Sequence, residues 1–233
     1  EIYTLSLHDA LPIFCAKWEK NETPTPDPLP DIDPKPEPKP DPKPTPSETI
    51  QAPQIVSVQS IAKKKITAVQ ITVEAVQGAT GYQIYRKKGS KVTMIGQTSR
   101  TVFLDQNPVS GKSSYYAKAI KGSLTGKEGS AKKITLPKAT TKVTAKAKTD
   151  KTVVLSWKKV KGATGYLVYR STKKNGSYQR IAVLKKGTKC TYTDKKGLKK
   201  GMKYHYRIVT VKKKTYSPAK TTKAVKIKAA KKK

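Results

Sequence analysis

The chain has 233 residues, enough for one or two domains once any tail is set aside. It carries 50 Lys+Arg against 15 Asp+Glu, a formal charge of +35, unevenly spread: residues 1–49 are net −5, residues 50–137 net +11 and residues 138–233 net +29. Such a field attracts polyanions without naming one. Only five of the basic residues are arginines (Arg86, Arg100, Arg170, Arg180 and Arg207), and lysine lacks the fork geometry that reads bases, so specific nucleic-acid recognition is not expected. Two cysteines, Cys15 and Cys190, and two histidines, His8 and His205, supply neither a disulfide framework nor a zinc set nor a histidine acid–base pair; no metal and no cofactor are expected.

The chain opens on Glu1, and the run EIYTLSLHDALPI (Glu1–Ile13) resembles a sequencing adapter translated in frame. It makes a poor signal peptide, having no basic start and being interrupted by His8 and Asp9. On that reading the natural N-terminus and any export signal lie outside this chain. Cys15, ahead of a Pro-rich run, has the placement of a lipoprotein anchor, but Phe14 stands where a small residue belongs; an incidental cysteine is the alternative. Residues 14–49 read as a disordered Pro-rich linker. Within it, 24–46 place proline at every second position save Ile32, which excludes helix and sheet and predicts a polyproline II spacer of roughly 70 Å, at about 3.1 Å per residue. A ligand for a proline-reading domain is the other reading of that run. No stretch is long and apolar enough to cross a bilayer. Leu136-Pro137-Lys138-Ala139 lacks the Thr-Gly of a sortase signal.

From residue 50 the pattern changes to short β-type runs, and an internal repeat emerges. Residues 76–86, VQGATGYQIYR, match residues 160–170, VKGATGYLVYR, at an offset of 84. Downstream the offset becomes 89, aligning Phe103 and Asp105 with Tyr192 and Asp194, Val109 with Leu198, and Tyr115 with Tyr204. The five extra residues of the second copy are expected around Lys173-Lys174-Asn175-Gly176, a hairpin that tolerates insertion. Val69, Ile71 and Val73 alternate with a second set of positions, as do Val153, Leu155 and Trp157 with Thr152, Val154, Ser156 and Lys158, and Tyr204, Tyr206 and Ile208 with His205 and Arg207. Period two marks strands with one buried face. The fold class predicted is all-β: two tandem immunoglobulin-like sandwiches, at 50–137 and 138–229, followed by a basic tail at 230–233.

Leu155-Ser156-Trp157, Gly165–Arg170, Thr191–Asp194 and Leu198–Ile208 resemble the fibronectin type III domain, and the last stretch resembles the family's corner tyrosine entering the sixth strand. The resemblance spans residues 50–229, and its GATGY…YR…GLKKG wording is similar to repeats of Gram-positive, clostridia-like surface proteins. Copy one departs from it: Val73 replaces the tryptophan, Ala117 the second tyrosine, and Gly111 is displaced by one position, so a thinner core is expected there. The resemblance implies an extracellular spacer or binding module with no activity of its own.

The acids of residues 50–233 are Glu74, Asp105, Glu128, Asp150 and Asp194. Asp105 and Asp194 are repeat equivalents, which points to a turn role, and the rest form no facing pair for glycoside hydrolysis. His205 is expected outward and idle; Cys190, in the inward parity of Tyr192, is expected to pack as a small hydrophobe. Tyr82 and Tyr85, like Tyr166 and Tyr169, have opposite parity, so one of each pair lies outside, packing across strands or offering a sugar-binding ring. Lys63–Lys65, Lys212–Lys214 and Lys231–Lys233 read as solvated turns and a frayed end. No catalytic residue is expected. The leading expectation is a monomeric, non-catalytic module of an extracellular or cell-surface bacterial protein on a Pro-rich stalk, with a protein partner open. The alternatives are an adhesin holding anionic glycans or wall polymers through the Lys-rich second domain, or accessory domains of a secreted carbohydrate-active enzyme whose catalytic part is missing.

Overall fold

The structure, a computed structural model, describes residues 49–227. The expectations for residues 1–13, Cys15, His8, the Pro-rich run and Lys231–Lys233 lie outside the described residues. Among those described there is no helix. Eight strands follow from Ile55 to Leu136: β1 Ile55–Ala62, β2 Thr67–Val73, β3 Gly81–Lys88, β4 Lys91–Thr98, β5 Val102–Asp105, β6 Gly111–Lys121, β7 Leu124–Glu128 and β8 Lys132–Leu136. They form two antiparallel sheets, β1-β2-β5 and β4-β3-β6-β7, with β8 also on β6. The second set is β9 Thr144–Thr149, β10 Thr152–Ser156, β11 Gly165–Ser171, β12 Gln179–Leu184, β13 Thr191–Asp194, β14 Lys203–Lys212, β15 Thr215–Tyr216, β16 Lys220–Thr221 and β17 Val225–Lys226. Its sheets are β13-β10-β9 and β12-β11-β14-β15, with β16 and β17 also on β14. The expected pair of all-β sandwiches is present.

Period two sets each core. Val69, Ile71 and Val73 on β2 face Tyr82, Ile84, Tyr115 and Ala117 across the first sandwich. Val153, Leu155 and Trp157 face Tyr166, Val168, Tyr206 and Ile208 across the second, where Trp157 meets the Tyr166 ring edge-on at 5.3 Å. The first core is built of smaller side chains, with Val73, Ala117 and Ala119 inside it. The shared VxGATGY motif is a turn. Ala79 and Ala163 each donate N–H to the carbonyl three residues back, and Gly78 and Gly162 supply the positive φ, +74° and +75°, that the turn requires. The inward tyrosine then closes it: the N–H of Val76 donates to Tyr82 Oη at 2.9 Å, and that of Val160 to Tyr166 Oη at 3.0 Å.

The register corrects the repeat alignment twice. Arg86 pairs with Thr93 but Arg170 with Gln179, so the hairpin around Lys173–Gly176 holds two of the five extra residues. Tyr82 pairs with Thr98 and Tyr166 with Leu184, so the other three sit between β12 and β13. Further on, Arg86 pairs with Tyr115 and Arg170 with Tyr206, an offset of 91 rather than 89. Tyr115 therefore corresponds to Tyr206, not Tyr204. Ser113 stands in the place of Tyr204, and Ala117 in that of Ile208 rather than of the second tyrosine. The loop before β14 is two residues longer than that before β6, which spacing between Asp and Tyr alone does not apportion.

A polar knot joins the two sheets of each sandwich. Asp105 ends β5 in one sheet; its carboxylate accepts from Tyr115 Oη at 2.8 Å and from Arg86 Nη1, both on the other sheet, and from Asn107 N at 3.0 Å. Asp194 ends β13 and accepts from Tyr206 Oη at 2.9 Å, Arg170 Nη1 at 2.8 Å and Lys196 N at 3.3 Å. Both carboxylates are buried, 5% and 1% exposed. Burial, and then the neighbouring carboxylate, push the Tyr115 and Tyr206 hydroxyls well above the usual tyrosine range.

A folded-state pKa raised in this way gives stability that is complete below about pH 10 and is lost as pH rises further, because the unfolded chain releases a proton the native state retains. Stability measured by urea unfolding is expected to fall by about 1.4 kcal/mol per pH unit for each such tyrosine above pH ~10. The Tyr115→Phe/Tyr206→Phe protein lacks that component, so its alkaline limb is flatter while lysine titration remains common to both.

Candidate interaction surfaces

The two buried acids are engaged by the fold. Asp105 and Asp194 have their oxygens occupied by arginine, tyrosine and main-chain donors, the turn role expected of them. Glu74 and Glu128 are exposed, and Asp150 is half-buried with Lys200 Nζ at 3.3 Å. Among the described residues no three of His, Cys, Asp and Glu gather as a metal site. Cys190 is a half-buried thiol packed on the second core, with Sγ 4.0 Å from Tyr166 Oη. His205 lies on the outer face, but it is half-buried rather than exposed, and its Nδ1 is buried without a hydrogen-bond partner.

The outer faces of the two larger sheets differ. In the first sandwich, Tyr85 stacks on Tyr116 across β3 and β6, ring centroids 5.0 Å apart and planes 3° from parallel. Tyr85 Oη donates to Gln83 Oε1 at 2.8 Å, and Lys118 Nζ lies 5.5 Å from its ring. Burial, then Glu128 beside it, raise the Tyr116 hydroxyl. This is cross-strand packing of the outward tyrosine, as its parity predicted.

In the second sandwich the same face is covered. Leu167, Tyr169, Tyr178 and Val209 form a buried apolar cluster separate from the core, and Ala62, Val211, Tyr216 and Ala219 pack against it. Ala62 ends β1 of the first sandwich, so this is a joint between sandwiches. The β1–β2 turn, closed by Lys63 N–H to Ile66 O at 2.7 Å, presents its carbonyls to the second sandwich. Tyr169 Oη donates to Lys63 O at 3.1 Å, and Arg180 N–H donates to Lys64 O at 2.8 Å. Tyr216 N–H donates to Ser60 Oγ at 3.0 Å, and that hydroxyl donates back to Tyr216 O at 3.3 Å. The connecting segment is tied at both ends: Ala139 N–H donates to Ser110 Oγ, and the buried Thr140 donates to Lys158 O at 2.6 Å.

The lysines of Lys63–Lys65 keep their side chains exposed, as expected of a turn, yet the backbone beneath them makes the joint. Lys212 ends β14, and Lys213 and Lys214 form the turn to β15; all three are exposed. The sequence carried a signal for the joint in its repeat differences. At outward positions, Leu167 and Val209 stand where the first copy has Gln83 and Lys118. Reverting both, Leu167→Gln with Val209→Lys, alters no core residue. It is expected to remove about 1.5–3 kcal/mol of apolar burial for each side chain. A larger radius of gyration by solution scattering, with both sandwiches still folded by circular dichroism, is the expected result.

Against known proteins, the sequence profile of the Fibronectin type III domain matches residues 137–225. No curated protein sequence matches the chain. Among solved structures, a two-domain fibronectin type III segment of chicken tenascin is 17% identical, covering 76% of this chain and 99% of that one, with a TM-score of 0.36. The FN1-FN3 domains of chicken CNTN1 are 16% identical over 76% of this chain and 69% of that one, with a TM-score of 0.36. An Fn3-like protein from Clostridium thermocellum is 29% identical over 39% of this chain and 90% of that one, with a TM-score of 0.33. The second sandwich, residues 137–225, is thus recognised as a fibronectin type III domain.

Proposed function

We propose that this chain is a non-catalytic structural and interaction module of a bacterial extracellular or cell-surface protein, with the Pro-rich run 24–46 as its stalk and both sandwiches as tandem members of one family. The observation that carries the reading is the occupied state of Asp105 and Asp194. Fold-specific donors occupy both buried carboxylates, so neither is poised for transfer to a substrate. The joint supports it further, since coupling two sandwiches through buried tyrosines is what a spacer or display element needs. No helix among the described residues is long and apolar enough to cross a membrane. Assay of the purified chain on glycan and peptide substrates is expected to show no turnover; hydrolysis that survives repurification would overturn the reading.

A second reading has a specific observation behind it. Residues 138–233 hold 31 bases and two acids, and many of the lysines, among them Lys146, Lys148, Lys186, Lys189 and Lys212–Lys214, are exposed. Lysine side chains without local counterions suit loose contact with an anionic glycan or wall polymer. Retention on an anionic polymer column is expected to be strong at about 50 mM salt and largely gone by about 0.5 M, where the screening length is only a few ångströms. Neutralising Lys212–Lys214 is expected to shift elution to lower salt. Retention indifferent to salt would exclude electrostatic capture.

A further inference from the structure

A polar cleft lies between the sandwiches. It has a volume of about 710 Å³ and draws its walls from the β1–β2 turn and the loop after β5 on one side, and from the β11–β12 hairpin, β14 and the segment before β16 on the other. Two cations line it, Lys65 and Arg207, with the neutral polar side chains Gln106, Asn107, Asn175 and Ser177. No carboxylate lines it. Clefts of this size at domain interfaces are the usual form of a small-ligand site.

Arg207 is the informative residue. It holds the place that Tyr116 has in the first copy, so the repeat has exchanged a stacked tyrosine for a guanidinium. Its guanidinium carbon lies 3.9 Å from the centroid of the buried Tyr178 ring, so the group packs against that ring. Its Nε is buried with no hydrogen-bond partner. A buried donor left unpaired is costly, and a planar, preoriented guanidinium matches carboxylate and phosphate oxygens. Tyr178, Asn175 and Ser177 come from the β11–β12 hairpin, which is longer in the second copy than in the first. The lengthened hairpin and the substituted arginine therefore meet in one place. The amides and hydroxyl around them offer donors and acceptors for sugar hydroxyls.

We infer that this cleft is a binding site for a hydroxylated anion, a sugar unit bearing a carboxylate or a phosphate, with Arg207 and Lys65 taking the charge and Asn107, Asn175 and Ser177 the hydroxyls. The inference rests on the reading of the chain as an interaction module and gives that module a defined site, distinct from diffuse contact through surface lysine.

Calorimetric titration of the full chain with glucuronate, glucose 6-phosphate, glucose and inorganic phosphate tests it. At least one sugar anion is expected to bind saturably at one site per chain, at least tenfold more tightly than glucose and more tightly than inorganic phosphate. Which one binds identifies the carboxylate or the phosphate as the recognised group. Arg207→Gln is expected to weaken that binding at least tenfold. Lys65→Gln, at an exposed side chain that belongs to neither core, is expected to weaken it severalfold and guards against a folding defect in the first variant. Triple replacement of Lys212, Lys213 and Lys214 by Gln is expected to leave it unchanged. The inference is overturned if neither sugar anion binds, if glucose binds equally well, or if the triple variant loses as much as Lys65→Gln. Polymer retention that persists while both sugar anions fail would remove the site and leave the electrostatic reading standing.

Discussion

Everything in this molecule hangs on a three-residue polar knot made once in each sandwich. A two-sheet sandwich needs its sheets held at a fixed offset as well as pressed together, and apolar contact is non-directional. Asp105 and Asp194 supply direction: each ends the third strand of the smaller sheet and takes a tyrosine and an arginine from adjacent strands of the larger one. The carboxylate is too deeply buried to be tolerated alone, so the arrangement persists only with all its donors in place. Its cost and its specificity have the same origin. Two acids out of the five in residues 50–233 are committed to this task.

With the sheets fixed, the outer faces are free to diverge, and their divergence makes the joint. The two larger sheets share strand order, and a bulge recurs at the same place in each, between Ile84 and Tyr85 and between Val168 and Tyr169. Of four matched outward positions, three differ and one keeps its tyrosine. Gln83, Tyr85, Tyr116 and Lys118 make a polar-rimmed stack on the first sandwich; Leu167, Tyr169, Arg207 and Val209 make an apolar floor with one cation on the second. An apolar floor on a sheet face must be covered, and the β1–β2 turn of the first sandwich covers it.

How far the sequence spoke follows from which forces are local. Alternation at Val69-Ile71-Val73 and Val153-Leu155-Trp157 gave strands and inward faces directly, because strand burial is a period-two property of adjacent residues. The shared Gly-Ala-Thr-Gly-Tyr turn was legible for the same reason. Register in β6 and β14 was not: it depends on how loop residues are apportioned between Asp105 and Tyr115 and between Asp194 and Tyr206, and only hydrogen bonding decides that. Loop length misled again in the second copy, where two separate insertions looked like one. His205 was read as exposed because parity tells which face a residue takes, not what else covers that face. The joint escaped for a related reason. A continuous apolar pair such as Leu167-Val168 signals a strand buried on both faces, but only comparison of outward positions between copies separates it from ordinary core.

Electrostatics sharpen what the joint has to accomplish. It brings a turn of three consecutive lysines against a lysine-rich sandwich, an approach that Coulomb repulsion opposes. The turn meets the second sandwich with its carbonyls, the negative ends of the peptide dipoles, which accept from Tyr169 Oη and Arg180 N–H, while the lysine side chains stay in solvent where salt screens them. Apolar cover over Leu167 and Val209 then works with main-chain hydrogen bonds against a residual like-charge field. Both sandwiches contribute to that field at the cleft, which Lys65 and Arg207 line and no carboxylate does. The same closure that costs repulsion energy thus concentrates positive potential over a polar recess, and an anion seated there would lower the cost of holding the two sandwiches together.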